Sequence, residues 1–109
     1  MQPAQTPPIS VSWVYTSSDS DKFDVTFDEH HPHFIPQLRA LVNNITPDEE
    51  QICMMIKLNM NNREMAQMLN TDIKSVYTVR RRLKRKLRMD DYKTMVEWIK
   101  NIPFPELRV

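Results

Sequence analysis

A run of positive charge in the last third of the chain constrains its fold more than any other feature. Seven of the nine residues from Arg80 to Arg88 are Lys or Arg. Val76, Leu83 and Leu87 recur at helical spacing in the segment 72–88, which predicts a helix with one narrow apolar seam. Because its other faces are cationic, such a helix must lie at the surface, with only the seam packed against a core.

The net charge of +1 conceals an uneven distribution along the chain. Residues 1–72 contain four Lys or Arg and ten carboxylates, a net of −6, whereas residues 73–109 contain eleven Lys or Arg and four carboxylates, a net of +7. This asymmetry predicts that a polyanion binds the C-terminal third. Neighbouring cations on a helix repel one another, so a nucleic-acid partner is favoured over a merely solvated face.

Length and composition limit the classes of protein to which the chain can belong. Its 109 residues have room for one domain and a tail. No apolar run reaches the roughly 18 residues of a transmembrane candidate, and the Pro- and Gln-rich N-terminus lacks the pattern of a signal peptide. Cys53 is the only cysteine, which excludes an internal disulfide. We expect a cytoplasmic protein that makes no membrane contact through this segment.

Composition divides the chain into four segments. Residues 1–20 predict a flexible linker, or an isolated strand because apolar residues alternate between positions 9 and 15. Residues 21–44 predict a helical lead-in, punctuated by prolines. Residues 45–102 predict a compact helical domain, and residues 103–109 a tail.

Capping sequences mark where the helices of the compact domain begin. The segment from Thr46 to Glu49 is a capping box with proline in the first turn. Asn61 and Glu64 form a second capping sequence, and Asp72 caps the basic helix. A last helix is predicted at about 91–101. These signals predict an all-α fold, a helix-turn-helix bundle of four core helices with a helical N-terminal lead-in.

The region from Thr46 to Ile99 follows the pattern of a known family over about 55 residues. The residues that match this pattern without a gap are Ile45, Thr46, Pro47, Glu49, Ile52, Cys53, Met55, Ile56, Asn61, Asn62, Arg63, Glu64, Met65, Ala66, Leu69, Ser75, Val76, Leu83, Lys86 and Leu87. The region resembles the LuxR/GerE-type DNA-binding domain, the C-terminal output unit of bacterial sensors and transcriptional regulators. The resemblance implies sequence-specific binding of double-stranded DNA, with a recognition helix at about 72–88 in the major groove.

The chain departs from the family pattern in its backbone and in its recognition helix. It contains no glycine, and Asn59, Asn70 and Arg88 stand where the family has glycine. We expect the two asparagines to take left-handed backbone conformations at the ends of helices. Tyr77 and Val79 replace a Lys and a His of the family, so the bases recognised should differ from those of typical members.

Helix geometry and the resemblance together imply different DNA contacts for different residues. Tyr77, Thr78 and Arg81 share an outward face and match the family positions that enter the major groove, so we expect them to read bases. Other cations are expected to position the domain by contacting phosphates. These residues are Arg63, Lys74, Arg82, Lys84 and Arg85.

Two residues of the basic helix have a second interpretation that the sequence leaves open. Tyr77 can instead pack against Arg63 or against the neighbouring helix. Arg80 lies closer to the apolar seam than the other cations, so it either contacts DNA or pairs with Glu49 or Glu50.

The apolar strip of the last helix also has two interpretations. It consists of Tyr92, Met95, Trp98 and Ile99. In the family this helix often forms the dimer contact, so the resemblance implies a homodimer on DNA through these residues. The alternative is that the strip packs against the aromatic residues of the lead-in, which are Phe23, Phe27 and Phe34.

The sequence favours neither a metal site nor an enzyme. His30, His31 and His33 lie together, but Cys53 belongs to the apolar stripe of another helix, and the chain lacks the ligand spacing of a zinc site. Cys53 is interpreted as a small core residue. No nucleophile motif or phosphate-binding glycine loop occurs, so we expect no catalysis and no cofactor.

Two other classes of function remain open. The chain can be a protein-interaction module of the transcription machinery, similar to region four of sigma factors, whose acidic N-terminal half docks a partner near RNA polymerase without independent DNA binding. For the transcriptional regulator, the further partner is an upstream sensor domain or RNA polymerase. The basic helix can also bind RNA or an anionic membrane. RNA is disfavoured because the helix has no exposed aromatic residues for base stacking apart from Tyr77. A membrane is disfavoured because the apolar seam of the helix is needed for the core.

Overall fold

Six α-helices make up residues 17–105, the part of the chain that this computed structural model describes. They are α1 (Ser17–His30), α2 (Phe34–Leu41), α3 (Pro47–Lys57), α4 (Asn62–Met68), α5 (Ile73–Lys86) and α6 (Tyr92–Lys100). No strand occurs within residues 17–105, and the predicted strand at 9–15 lies outside them. The expected all-α class is confirmed for the described residues. Helix α1 begins at Ser17, inside the segment that the sequence assigned to a linker.

Reciprocal capping boxes begin α3 and α4, as the sequence predicts. The Thr46 hydroxyl accepts a hydrogen bond from the Glu49 amide at 3.2 Å, and the Glu49 carboxylate accepts one from the Thr46 amide at 2.9 Å. Asn61 and Glu64 exchange the same two bonds at 2.8 and 2.7 Å. Each box satisfies amides that a helix start otherwise leaves without an intrahelical partner.

Left-handed residues end several helices without any glycine. Asn59 and Asn70 have φ values of 64° and 53°, which confirms the expectation for both. Asn44, just after α2, has a φ of 57°. Arg88, just after α5, has a φ of 55° and is the costliest of the four, because a residue with a long side chain and no local hydrogen-bonding group gains least from this region.

The hydrophobic core joins the lead-in to the compact domain. Its fully buried side chains come from several helices and include Phe34, Leu38, Ile52, Met55, Met65, Leu83, Met95 and Ile99. The lead-in contributes aromatic packing, with the rings of Phe27 and Phe34 in an edge-to-face contact at 5.2 Å. The two segments that composition separates therefore share one core.

Burial of the last helix corrects the expected dimer contact. Met95 and Ile99 are both 0% exposed and belong to this core. They cannot form a contact with a second chain in this fold, so the prediction for these two residues is wrong. They share one core cluster with Phe27 and Phe34 of the lead-in, and the main helix partner of α6 is α3. Met95 and Ile99 thus pack inside the chain, but mainly beside α3, whereas the alternative had named the aromatic residues of the lead-in.

Polar contacts also tie the lead-in and the tail to the domain. Arg39 of α2 makes a bidentate ion pair with Glu50 of α3, at 2.6 and 3.0 Å. The buried Gln37 side chain accepts a hydrogen bond from the Phe104 amide at 2.5 Å and donates one to the Phe104 carbonyl at 3.3 Å. Residues at the start of the predicted tail are thus held on α2. The ring of Phe104 lies 5.8 Å from that of Trp98.

Candidate nucleic-acid interface

Local sequence positions the basic helix beside a short helix and a tight turn. The Asp72 carboxylate accepts a hydrogen bond from the Ser75 amide at 2.8 Å and so begins α5. In the preceding turn the Thr71 amide donates to the Ala66 carbonyl at 2.9 Å. Val76 and Leu83 are the buried residues of α5. With this seam turned inward, the cations of α5 are distributed over its other three sides.

The outward side of α5 carries unpaired cations. Lys74, Thr78, Arg81 and Arg85 fall within about 60° of one another around a helix of 3.6 residues per turn, and all four are exposed. Among residues 17–105, none of these three cations belongs to an ion pair. Tyr77 borders this face and is 47% exposed. We call Lys74, Tyr77, Thr78, Arg81 and Arg85 the outward face.

A second side of α5 is neutralised by a buried carboxylate. Glu49 is 0% exposed. Its Oε2 lies 3.0 Å from Arg82 Nε and its Oε1 lies 2.8 Å from Lys86 Nζ, which also donates to the Asn44 carbonyl at 2.6 Å. Burial alone would raise the pKa of Glu49, but the hydrogen bonds from Lys86, the Thr46 amide and Arg82 outweigh it and lower this pKa. We call Glu49, Arg82 and Lys86 the carboxylate cluster.

This cluster changes the role expected for two arginines. The sequence placed Arg82 among the phosphate contacts, whereas its Nε is committed to Glu49. Arg80 was expected either at DNA or paired with an acidic residue of α3, but Glu49 is held by the cluster and Glu50 by Arg39. The ion-pair interpretation of Arg80 is therefore wrong, because its position on the helix directs it to α6 instead of α3.

The third side of α5 packs its cations on an aromatic ring. Arg80 Cζ lies 5.8 Å and Lys84 Nζ 5.2 Å from the centroid of the Tyr92 ring. These are cation–π distances. Tyr92 is 40% exposed, but α5 occupies a face of its ring. Like Trp98, which is half-buried and near Phe104, Tyr92 is thus engaged within the chain.

The structure brings the expected base-reading residues onto one surface. Tyr77, Thr78 and Arg81 all lie exposed on consecutive turns of α5. Tyr77 takes part in no cation–π contact among the described residues, and about half of its surface is exposed. The Thr78 hydroxyl donates to the Lys74 carbonyl at 3.0 Å. Arg63, on α4, is also exposed.

Sequence reasoning missed the structural role of Lys86. A signal was present, because Arg82 and Lys86 are four residues apart and therefore share one side of the helix. What local sequence does not reveal is that Glu49, read as a cap, turns its carboxylate toward that side.

Other classes of site are not found in the described part of the chain. Within residues 17–105, no three His, Cys, Asp or Glu side chains are grouped so as to hold a metal ion. Cys53 is buried, and burial raises the pKa of its thiol above the usual range. None of the helices in this part combines the length and apolarity needed to cross a membrane. The chain matches no protein-family model, no curated protein and no solved structure.

Proposed function

We propose that this chain binds double-stranded DNA through the outward face of α5, as a transcriptional regulator. The observation that carries the proposal is the difference among the cations of α5. Those beside α3 are neutralised by Glu49, whereas Lys74, Arg81 and Arg85 have no ion pair among residues 17–105. A solvated face of a folded domain gains nothing from such a cluster, but DNA phosphates stabilise it.

The arrangement of α3 to α6 supports a helix-turn-helix bundle of the LuxR/GerE type. In this proposal α4, the turn at 69–72 and α5 form the helix-turn-helix, and α3 and α6 complete the four core helices. An α-helix with its side chains is about 10–12 Å wide and enters a major groove of about 12 Å. The outward face is the side of α5 that is free to enter it.

Individual side chains then have distinct roles. Arg81 donates two hydrogen bonds to a guanine edge, Thr78 contacts a thymine methyl, and Tyr77 makes an edge or stacking contact with a base. The phosphate contacts are made by Arg63, Lys74, Arg85 and Lys84. Lys84 lies at the edge of the outward face, on the side of α6. Arg82 holds α5 against Glu49 and contributes little to DNA affinity.

A single domain of this kind binds weakly. Four phosphate contacts give a slope of log affinity against log salt of about −3.6. Specific recognition requires two copies on spaced half-sites, so we retain a homodimer on DNA in the proposal. Its contact surface excludes Met95 and Ile99, which are fully buried.

The testing experiment measures fluorescence anisotropy of a labelled random DNA duplex across a salt series. We expect a linear fall in log affinity with log salt for the wild type, and a shallower slope for the double variant Arg81→Gln, Arg85→Gln. The matched control is Lys93→Gln, which removes an exposed cation from α6 and should leave the slope unchanged. Absence of binding at low salt would defeat the proposal and favour a protein-interaction module of the transcription machinery.

A further inference from the structure

A cleft lies on the α6 side of α5, away from the outward face. It has a volume of about 320 Å³ and opens between the end of α3, the start of α4, α5 and α6. Arg80 lines it from α5, and helical periodicity places this residue about 120° from the centre of the outward face. The volume is near the lower limit of small-molecule sites.

The lining of the cleft combines an apolar part with a cationic part. Ile56 and Val96 supply aliphatic surface, and Asn61 and its neighbours supply amide groups. Arg80 and Lys100 supply two positive charges, and no carboxylate lines the cleft. Such a lining is complementary to a small organic molecule with an anionic head group.

The charge around the cleft is unbalanced. Among residues 17–105, neither Arg80 nor Lys100 belongs to an ion pair. Lys57 adds a third cation, since its Nζ donates to the Lys100 carbonyl at 2.6 Å. The nearby Glu64 carboxylate is held by the Asn61 amide in the capping box of α4.

The half-buried position of Arg80 strengthens the argument. Burial lowers the pKa of its guanidinium, which means that the surroundings disfavour the positive charge. Its contact with the Tyr92 ring is shared with Lys84, a second cation four residues along the same helix. Like charges at this spacing repel each other. The neutral ring does not neutralise either cation, so an anion placed beside Arg80 would be stabilised.

We propose that this cleft binds a small organic dianion, a phosphate monoester or a dicarboxylate, with its head group between Arg80 and Lys100 and its apolar body against Ile56 and Val96. Arginine recognises both head groups by paired hydrogen bonds. The proposal does not rest on DNA binding, because neither cation of the cleft belongs to the outward face.

The test is a titration of the whole chain followed by amide chemical shifts in NMR spectra. The probes are phenyl phosphate and phthalate, which carry a dianionic head group on an aromatic body. Inorganic phosphate and benzyl alcohol supply the head group and the body separately. We expect at least one of the two aromatic dianions to shift the amides of Asn61, Val96 and Lys100, with each separate part binding more weakly. The probe that binds more tightly, phenyl phosphate or phthalate, shows whether the cleft prefers a phosphate or a dicarboxylate head group.

Matched variants decide whether the cleft is responsible. Lys100→Gln changes an exposed side chain and should weaken the dianion by about tenfold, or 1.4 kcal/mol; Arg80→Gln should do the same. Arg85→Gln is the control, which should keep dianion binding while weakening DNA binding. Equal affinity in Lys100→Gln and wild type, shifts centred on the outward face, or no shift at millimolar concentrations would each overturn the proposal.

Discussion

Helix α5 carries two pairs of basic residues in different electrostatic surroundings. One pair is Arg82 and Lys86 in the carboxylate cluster, and the other is Arg81 and Arg85 on the outward face. The first pair lies within 3.0 Å of a fully buried carboxylate, and the second pair has no ion pair among residues 17–105. One pair therefore stabilises the fold, whereas the other is left to bind a ligand. A run of positive charge is thus not a single functional unit, because a neighbouring helix decides the role of each cation.

The largest expected effect comes from removing the negative charge of Glu49 in the carboxylate cluster. Glu49→Gln retains a side chain that can complete a capping box, but it leaves Arg82 and Lys86 without their carboxylate. Since these cations remain partly exposed, we expect the free energy of unfolding to fall by about 2–3 kcal/mol. Urea denaturation measures this change. Glu64→Gln, in the exposed capping box of α4, is the matched control and should cost less than about 1 kcal/mol; equal losses would contradict the distinction.

Substitutions in the two pairs of cations should have different effects on DNA binding. Arg81→Gln should reduce the preference for a selected duplex over a random one by about 1–3 kcal/mol, and Arg85→Gln should weaken both duplexes and lower the salt slope by about 1. Arg82→Gln should leave the slope nearly unchanged, because this side chain is committed to Glu49. Anisotropy measurements on the three variants test this order. If Arg82→Gln lost as much DNA affinity as Arg85→Gln with the fold intact, both pairs of cations would contact DNA and the distinction would be wrong.

Acid should weaken the carboxylate cluster. The pKa of Glu49 is lowered in the folded chain, so its contribution to stability is present above the unfolded pKa and is lost as pH falls through the folded pKa. We expect the free energy of unfolding to decline below about pH 4.5, and to decline less in Glu49→Gln. A part of the decline should remain in the variant, because hydrogen bonds from the Ser75 and Thr94 amides lower the pKa values of Asp72 and Asp91. Identical pH profiles of the wild type and the variant would show that Glu49 does not contribute to the loss of stability in acid.

The smallest expected effect is a gain in stability when a cation of the outward face is removed. Arg81 and Arg85 are four residues apart, and like charges at this spacing destabilise a helix. Arg85→Gln should therefore raise the free energy of unfolding by about 0.3 kcal/mol at low salt, and by less at high salt, where charges are screened. Arg82→Gln should lower it. Urea midpoints at two salt concentrations measure both changes, and a loss of stability in Arg85→Gln would mean that this residue has a structural partner.

Features that depend on residues three or four apart could be predicted from the chain alone. The capping boxes at Thr46 and Asn61, the cap at Asp72 and the left-handed Asn59 and Asn70 all occur as expected. Each satisfies the backbone of its own helix end, so no distant residue is needed to specify it. The seam of α5 and the exposure of its outward face follow from helical periodicity in the same way.

Features that depend on which surfaces meet could not be predicted in this way. The apolar strip of α6 has the same pattern whether its partner is a second chain or its own core, and only the packed structure places Met95 and Ile99 inside. The division of the α5 cations likewise depends on Glu49, more than thirty positions away along the chain. Helix periodicity is a local property, whereas burial and ion pairing are set by contacts between distant segments, and these contacts arise only when the core assembles.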